Sequence, residues 1–415
     1  MNTPDVVFVS NYINHHQIPF CDAMRGLLGD HFRFLETTRM EQERVDMGWQ
    51  EREDLPYVVR RYENPEAGDR MIVQCDLLLQ GWAPAAEEAV HKRLTLGRPV
   101  FLISERIYKD GQWKALSPRG LLDKWNRYTR FRDKPYYLLS AGAYVASDFQ
   151  LIHAFPGRMY RFGYFPEFRP CEIGELMRRK NAFGDPGQVQ MIWAGRFVNF
   201  KHFEIIPELV RDLAAAGESF HLHVAGDGKD GETYRRQITE QGLDSYVTFY
   251  GFRTPEQVRD LMERCRIHIF TSDRGEGWGA VVNESMNAGC AVIAGSEAGC
   301  VPCLLQNSVN GMIYNRENYG DLLAKLRFLM NDPELMNRFG ESAYRVIRDS
   351  WNAKTAAERL MKFAEKVLEG RDPQADLPAH GPMSRDPVLR PYLAVPPLGS
   401  GSSGRGMGGG RERRR

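Results

Sequence analysis

Glu276 and Glu284, separated by seven residues, belong to a stretch in which three glycines fall within five positions: Asp273-Arg274-Gly275-Glu276-Gly277-Trp278-Gly279-Ala280. Glycines spaced this closely let the main chain approach a ligand. A helix opening at Ala280 would then offer free N–H groups and the positive end of its dipole to an anion. A carboxylate accepts hydrogen bonds from sugar or ribose hydroxyls. With one glutamate in the loop and the other about one turn into the helix, both can face one crevice, a spacing suited to gripping the two ends of a nucleotide sugar. Three further loops carry related chemistry. Ala194-Gly195-Arg196-Phe197-Val198-Asn199-Phe200-Lys201 sets two cations five residues apart behind a glycine, and Ala225-Gly226-Asp227-Gly228 and Gly251-Phe252-Arg253 follow it.

Loops of this kind bind ligands when a parallel sheet brings them together at the carboxyl ends of its strands. The pattern from Gln188 onward has that form. Apolar strands at Gln190–Trp193, Phe220–Ala225, Tyr246–Tyr250, Ile267–Phe270 and Cys290–Ala294 alternate with helical stretches at Phe203–Ala216, Gly231–Gln241, Pro255–Arg264 and Ala280–Ala288. Strands separated by 10 to 15 helical residues predict a doubly wound parallel sheet. Further helices are expected over Tyr319–Met330, Pro333–Arg348 and Ala353–Leu368. In the first half, Val6–Val9, Cys75–Leu79 and Pro99–Ile103 read as strands and Ala85–Leu96 as a helix, another α/β alternation.

Within Glu-Gly-Trp-Gly-Ala-Val-Val-Asn-Glu-Ser-Met-Asn-Ala-Gly, the pair Glu276-x7-Glu284 resembles the Glu-x7-Glu motif of the large family of retaining glycosyltransferases of group 1, which includes bacterial polysaccharide and lipopolysaccharide sugar transferases. Gly195-Arg196 with Lys201 is similar to that family's diphosphate-binding pair, and the turns at Gly226-Asp227-Gly228 and Gly251-Phe252 stand in the family's order. The matches cover about residues 190 to 315.

The resemblance implies two Rossmann-like α/β domains facing a cleft, the GT-B fold. It implies a nucleotide-diphosphate sugar as donor substrate, with no cofactor and no metal. Arg196 and Lys201 would hold the donor diphosphate, Glu284 the ribose and Glu276 the transferred sugar, helped by main-chain N–H groups at Gly279, Ala280 and Val281. Phe252 and Arg253 would lie against the base, and Gly195 and Asp227 complete the donor set. Breaking a glycosyl phosphate bond leaves charge on the diphosphate, which Arg meets with a rigid fork and Lys with a point charge. The chain has no Asp-x-Asp to hold a divalent ion, so these cations would take its place.

On the first domain the residues after the first strand, Ser10-Asn11-Tyr12-Ile13-Asn14-His15-His16-Gln17, depart from the family's glycine-rich loop. Asn11, His15 and His16 are candidates for the acceptor or sugar side, against the alternative of a surface histidine pair opening a helix. Glu105 and Arg106 stand where the family often has a sugar-contacting histidine, and Gly299-Cys300-Val301-Pro302-Cys303 replaces its Gly-Gly-x-Pro-Glu. Cys300-x-x-Cys303 has no companion pair and reads as two ordinary thiols. His221 and His223 alternate on one strand face and read as core histidines.

The 415 residues suit two domains and a remainder. They divide into 1–180 for the acceptor, 181–350 for the donor, a helix at 351–370 returning to the first domain as the resemblance implies, and a tail at 371–415. Pro/Gly/Arg-rich composition predicts that this tail is disordered. Lys+Arg 55 against Asp+Glu 54 gives a net charge of +1 and no global pull towards nucleic acid. Seven dispersed cysteines and no signal-like start fit a cytoplasmic protein. The basic stretch Leu121–Arg132 reads as a helix packed on its own domain with a solvated basic face, or as one lying on the anionic inner face of a membrane where lipid-linked saccharide acceptors reside. The reading is a hexosyltransferase type of glycosyltransferase in cell-surface polysaccharide or glycolipid synthesis. Its rivals are a nucleotide-sugar epimerase of similar shape and a non-catalytic nucleotide-sugar-binding protein.

Overall fold

A computed structural model of the chain describes residues 3–41 and 54–391. Two parallel sheets form two domains. The first has the order β3-β2-β1-β4-β5-β6-β7, from strands β1 (Val6–Ser10), β2 (Phe32–Glu36), β3 (Val58–Arg60), β4 (Leu77–Gln80), β5 (Val100–Ser104), β6 (Tyr136–Ala141) and β7 (Met159–Phe162). The second, ordered β10-β9-β8-β11-β12-β13, is built from β8 (Val189–Ala194), β9 (Phe220–Ala225), β10 (Val247–Gly251), β11 (Ile267–Phe270), β12 (Ala291–Gly295) and β13 (Gly311–Tyr314). Every neighbouring pair is parallel. Central strands such as β8 and β12 are buried along their whole length, which is why they read as mostly apolar runs.

Both sheets reverse direction beside their first strand, between β1 and β4 and between β8 and β11. These reversals are topological switch points, where adjacent connections run to opposite faces and leave a crevice beyond the strand ends. The helices of the first domain are α1 (Ile18–Leu28), α2 (Pro65–Gln74), α3 (Glu87–Thr95), α4 (Pro118–Arg127) and α5 (Val145–Leu151). Next comes α6 (Ile173–Asn181), and the second domain adds α7 (Ile205–Ala215), α8 (Gly231–Glu240), α9 (Pro255–Met262), α10 (Ala280–Asn287), α11 (Val301–Leu304), α12 (Tyr319–Met330) and α13 (Pro333–Asp349). Helix α14 (Ala353–Leu368) lies against α1 of the first domain, with Phe363 packed against the rings of Phe101, Tyr137 and Tyr160. The late helices start where side chains cap them: Asn318, Asp332 and Asn352 each accept from a main-chain N–H three residues on.

The structure corrects the expectation in three places. The donor-side domain begins before 181, because α6 packs on it: Lys180 Nζ donates to Met262 O (2.6 Å) and Cys265 O (2.5 Å). The tail does not lose structure at 371. Arg161 N donates to Ser384 O (2.9 Å), Met383 N to Arg161 O (2.8 Å) and Asp386 N to Met159 O (3.1 Å), so these residues cover the open edge of β7 and bury Met383. The rest of the tail expectation, 392–415, lies outside the described residues. Helix α4 reverses the packed-helix reading. None of its residues is buried, and its apolar side faces outward.

The carboxyl ends of the two sheets face each other. Tyr144 Oη donates to Ser296 O (2.6 Å), and Ala143 N donates to Gly299 O (2.9 Å). A methyl group on Gly299 would lie 2.0 Å from Gly277 O and 3.1 Å from Gly142 Cα, so three glycines from both domains meet where no side chain fits. Gly299→Ala is expected to force this seam apart, costing about 1–3 kcal/mol, read as a lower urea midpoint. An unchanged midpoint would show that the seam does not hold the domains together.

Candidate functional site at the facing strand ends

The loops after β8 and β11 meet at the second domain's switch point. Lys201 Nζ lies 2.5 Å from Glu276 Oε2, which also accepts from Ser272 Oγ at 3.1 Å. Both side chains are largely screened from solvent, 13% and 17% exposed. Lys201 is fixed from below, since Thr271 Oγ1 donates to its carbonyl. Arg196 stands half-buried at the head of the same loop as Lys201, five residues before it. Gly195 is packed against the Lys201 stem, where a Cβ would come within 2.8 Å of Lys201 Cδ.

Gly279 precedes α10 with φ +99°, a backbone conformation that favours glycine. The turn delivers Ala280 and Val281 as the helix's opening residues, with their N–H groups at its positive end. Glu284 lies one turn on. Burial pushes its carboxyl up to about 7, against the opposing pull of Arg259, Lys201 and Arg169. Lys201 therefore acts on both glutamates of the pair. Phe252 is 60% exposed at the rim, with the Arg253 guanidinium turned back to the Phe252 carbonyl and over the Tyr250 ring. Asp227 is engaged within its own domain. Its carboxylate accepts from Arg235 Nη2 (2.7 Å) and Gly228 N (2.9 Å), so it shapes the turn entering α8.

The first domain contributes a cavity of about 700 Å³ at its own switch point, lined by Asn11, His16, Trp82, Glu105 and Arg106 among others. Glu105 crosses towards the donor loop. Its carboxylate fills the space a Cβ on Gly277 would need, at 2.1 Å, accepts from Tyr164 Oη at 2.6 Å, and is paired with Lys109. Arg106 is turned inward. It donates to both oxygens of Asp148 (3.1 and 3.2 Å) and to Tyr108 O (3.1 Å), leaving Nη1 without a hydrogen-bond partner.

His16 lies parallel to Tyr164 with ring centroids 6.2 Å apart, and burial holds it down to about 3. His15 is also lowered by burial, while Glu256 of the opposite domain pulls it up. Both imidazoles are thus neutral at pH 7, suited to hydrogen bonding a hydroxyl rather than countering a negative charge. Asn11 is half-buried, with its side-chain oxygen accepting from Ser10 Oγ at 3.2 Å. His221 and His223 are bonded inside the second sheet to Thr248, Tyr250 and Gln190, away from these loops.

Four residues near the pair were not among the sequence candidates. Ser272 could have been, since it follows β11 at the switch point. Tyr164, Arg169 and Arg259 carry no such signal, because the first two come from more than 100 residues away in sequence and Arg259 lies within helix α9, not at a strand end.

Residues 176–346 match the family model of glycosyl transferases group 1. Over 178 residues the chain is 26% identical to an uncharacterized glycosyltransferase of Methanocaldococcus jannaschii, covering 43% of this chain and 47% of that protein. Over 213 residues it is 23% identical to the alpha-D-kanosaminyltransferase of Streptomyces kanamyceticus, covering 51% and 55%. The chain spans about half the length of the curated relatives it matches. Among solved structures, that of the Anabaena HepE protein in complex with UDP superposes with a TM-score of 0.65 at 14% identity, over 87% of this chain and 100% of that one. This likeness carries the fold, two Rossmann-like domains in the GT-B arrangement. The match to the glycosyl transferases group 1 family lies in the second domain, the one that holds Arg196, Lys201 and the glutamate pair.

Proposed function

We propose that this protein transfers a sugar, with retention and without a metal, from a nucleotide-diphosphate sugar to a hydroxyl acceptor of cell-surface polysaccharide or glycolipid synthesis. The observation that carries the reading is the Lys201–Glu276 contact of 2.5 Å beside the start of α10, at a topological switch point. It sets a cation, a carboxylate and free main-chain N–H groups around one point. A diphosphate arriving there would meet Lys201, Arg196 and the helix N-terminus. Glu276 would be released to the hydroxyls of the sugar.

The bond from the anomeric carbon to the phosphate oxygen breaks, its electron pair leaves on the diphosphate, and the acceptor oxygen bonds to that carbon on the face just vacated. The acceptor proton goes to the departing phosphate oxygen, so no protein base is required. Glu105 and the neutral His16 border the opposite side of the cleft and would orient the acceptor hydroxyl.

The test is consumption of nucleotide sugars by the whole chain, with and without saccharide acceptors, followed by proton NMR of the first product. An α-linked donor is expected to give an α-linked product, together with free nucleoside diphosphate. A β-linked first product overturns retention. Conversion of the donor's sugar without any acceptor identifies an epimerase instead, and binding without turnover or hydrolysis identifies a binding protein.

A further inference from the structure

Helix α4 is turned the opposite way from an ordinary surface helix. Pro118, Leu121, Leu122 and Trp125 recur on one helical face, and all four are exposed, Leu122 to 60% and Trp125 to 50%. The preceding single turn, Gln112–Leu116, adds Trp113 at 68% and Leu116 at 81%. The polar side points inward. Asp123, Lys124 and Arg127 form part of the cavity wall, with Arg127 Nε 2.8 Å from Asp123 Oδ1 and 3.6 Å from Glu87 Oε1. A soluble monomer seldom leaves so many large apolar side chains together in water.

The charge around this face selects its partner. From Lys109 to Lys134 there are eight Lys and Arg against three Asp, a local excess of five positive charges in a chain whose total is +1. Lys114, Arg119, Arg130 and Arg132 of this set are exposed. Two copies of such a face would repel each other, whereas an anionic surface would attract it.

We propose that the segment Trp113–Trp125 docks this protein on a bilayer containing anionic phospholipid. Leu116, Leu121 and Leu122 would enter the acyl boundary, the two tryptophans would sit at headgroup level, and the cations would reach the phosphates. Since the inward side of α4 is a wall of the first domain's cavity, docking places that cavity beside the headgroups. The acceptor would then be a membrane-borne hydroxyl. This last step rests on the transferase reading, whereas the docking itself does not.

The test uses the whole chain without donor, sedimented with large vesicles of phosphatidylcholine alone or of equal parts phosphatidylcholine and phosphatidylglycerol. Partitioning onto the mixed vesicles is expected to exceed that onto the neutral ones at least about tenfold and to weaken as salt is raised. The double variant L122E/W125E should lose at least about tenfold of that partitioning with an unchanged melting temperature. F328E, which alters an equally exposed apolar residue of the second domain, should keep it. The proposal is overturned if wild-type protein binds neither vesicle, if L122E/W125E binds as well as wild type, or if the wild type is a dimer that L122E/W125E makes monomeric. Vesicle binding that persists in a protein inactive with every donor would sink only the transferase reading.

Discussion

Replacing Lys201 by alanine is expected to lower kcat/KM for transfer by about two to three decades. A cation about 4 Å from the leaving oxygen, at an effective dielectric near 20, contributes at most about 4 kcal/mol, equivalent to about three decades in rate. Lys201 is 13% exposed and held between Glu276 and the strand-end loop, so solvent screening removes only part of this. The loss should fall mainly on kcat, because charge on the diphosphate grows as its bond to the sugar breaks. Lys201→Arg should recover part of the rate, since it restores charge without the same reach. The measurement is steady-state donor consumption together with a melting curve, because Lys201→Ala also leaves Glu276 without its cation. A folded Lys201→Ala variant within about threefold of wild-type kcat/KM would remove Lys201 from the reaction.

Lys201 was legible in the sequence because it follows a buried strand at a short, glycine-marked distance. The same holds for Arg196, Glu276 and Glu284: each lies in or just beyond a loop at the end of a strand that is buried throughout and mostly apolar. The second domain announces its elements well, since its central strands are buried on both faces and its helices carry capping residues such as Thr254 and Asp332. The first domain announces fewer. Strands β2, β6 and β7 are interrupted by Arg33, Ser140 and Arg161, which shortens their apolar signal.

Other features depend on contacts that no local pattern encodes. Glu105 meets Gly277, and Tyr164 bonds Glu105 across 59 residues of sequence. Helix α4 shows a plain apolar period, yet a period gives no information on which side faces the protein. Its outward orientation follows from tertiary structure, where the polar side closes the cavity. The prolines of 371–391 suggest a chain without order, but a proline-rich segment can still donate and accept main-chain hydrogen bonds at its other residues. That is how Met383 and Asp386 pair with the edge of β7.

The two glutamates are expected to fail differently, and pH should separate them. Glu276 is the partner of Lys201, so Glu276→Gln leaves that cation more available to a diphosphate. Binding of free nucleoside diphosphate should stay equal or tighten slightly while kcat falls by about two decades, since a contact that strengthens as charge develops on the sugar acts on turnover. Glu284 has a carboxyl pushed up to about 7 by burial, above its ordinary 4.5. The folded protein therefore holds this proton more tightly than the unfolded chain, and Glu284 makes stability fall as pH rises from about 4.5 to about 7, with no further change above that. Glu284→Gln removes the penalty and should raise the melting temperature at pH 8 but hardly at pH 5.

Ligand binding should run the other way. If the ionised Glu284 accepts from the ribose hydroxyls, nucleoside diphosphate affinity of the wild type rises through pH 7. In Glu284→Gln it stays flat and about tenfold weaker at pH 8, the scale of one charge-assisted hydrogen bond. Calorimetric titration of the nucleoside diphosphate at pH 6 and pH 8, on wild type and both variants, measures all of this. If Glu276→Gln weakens that binding as much as Glu284→Gln while sparing kcat, or if Glu284→Gln shows the wild-type pH dependence, the division of roles between sugar and ribose is wrong.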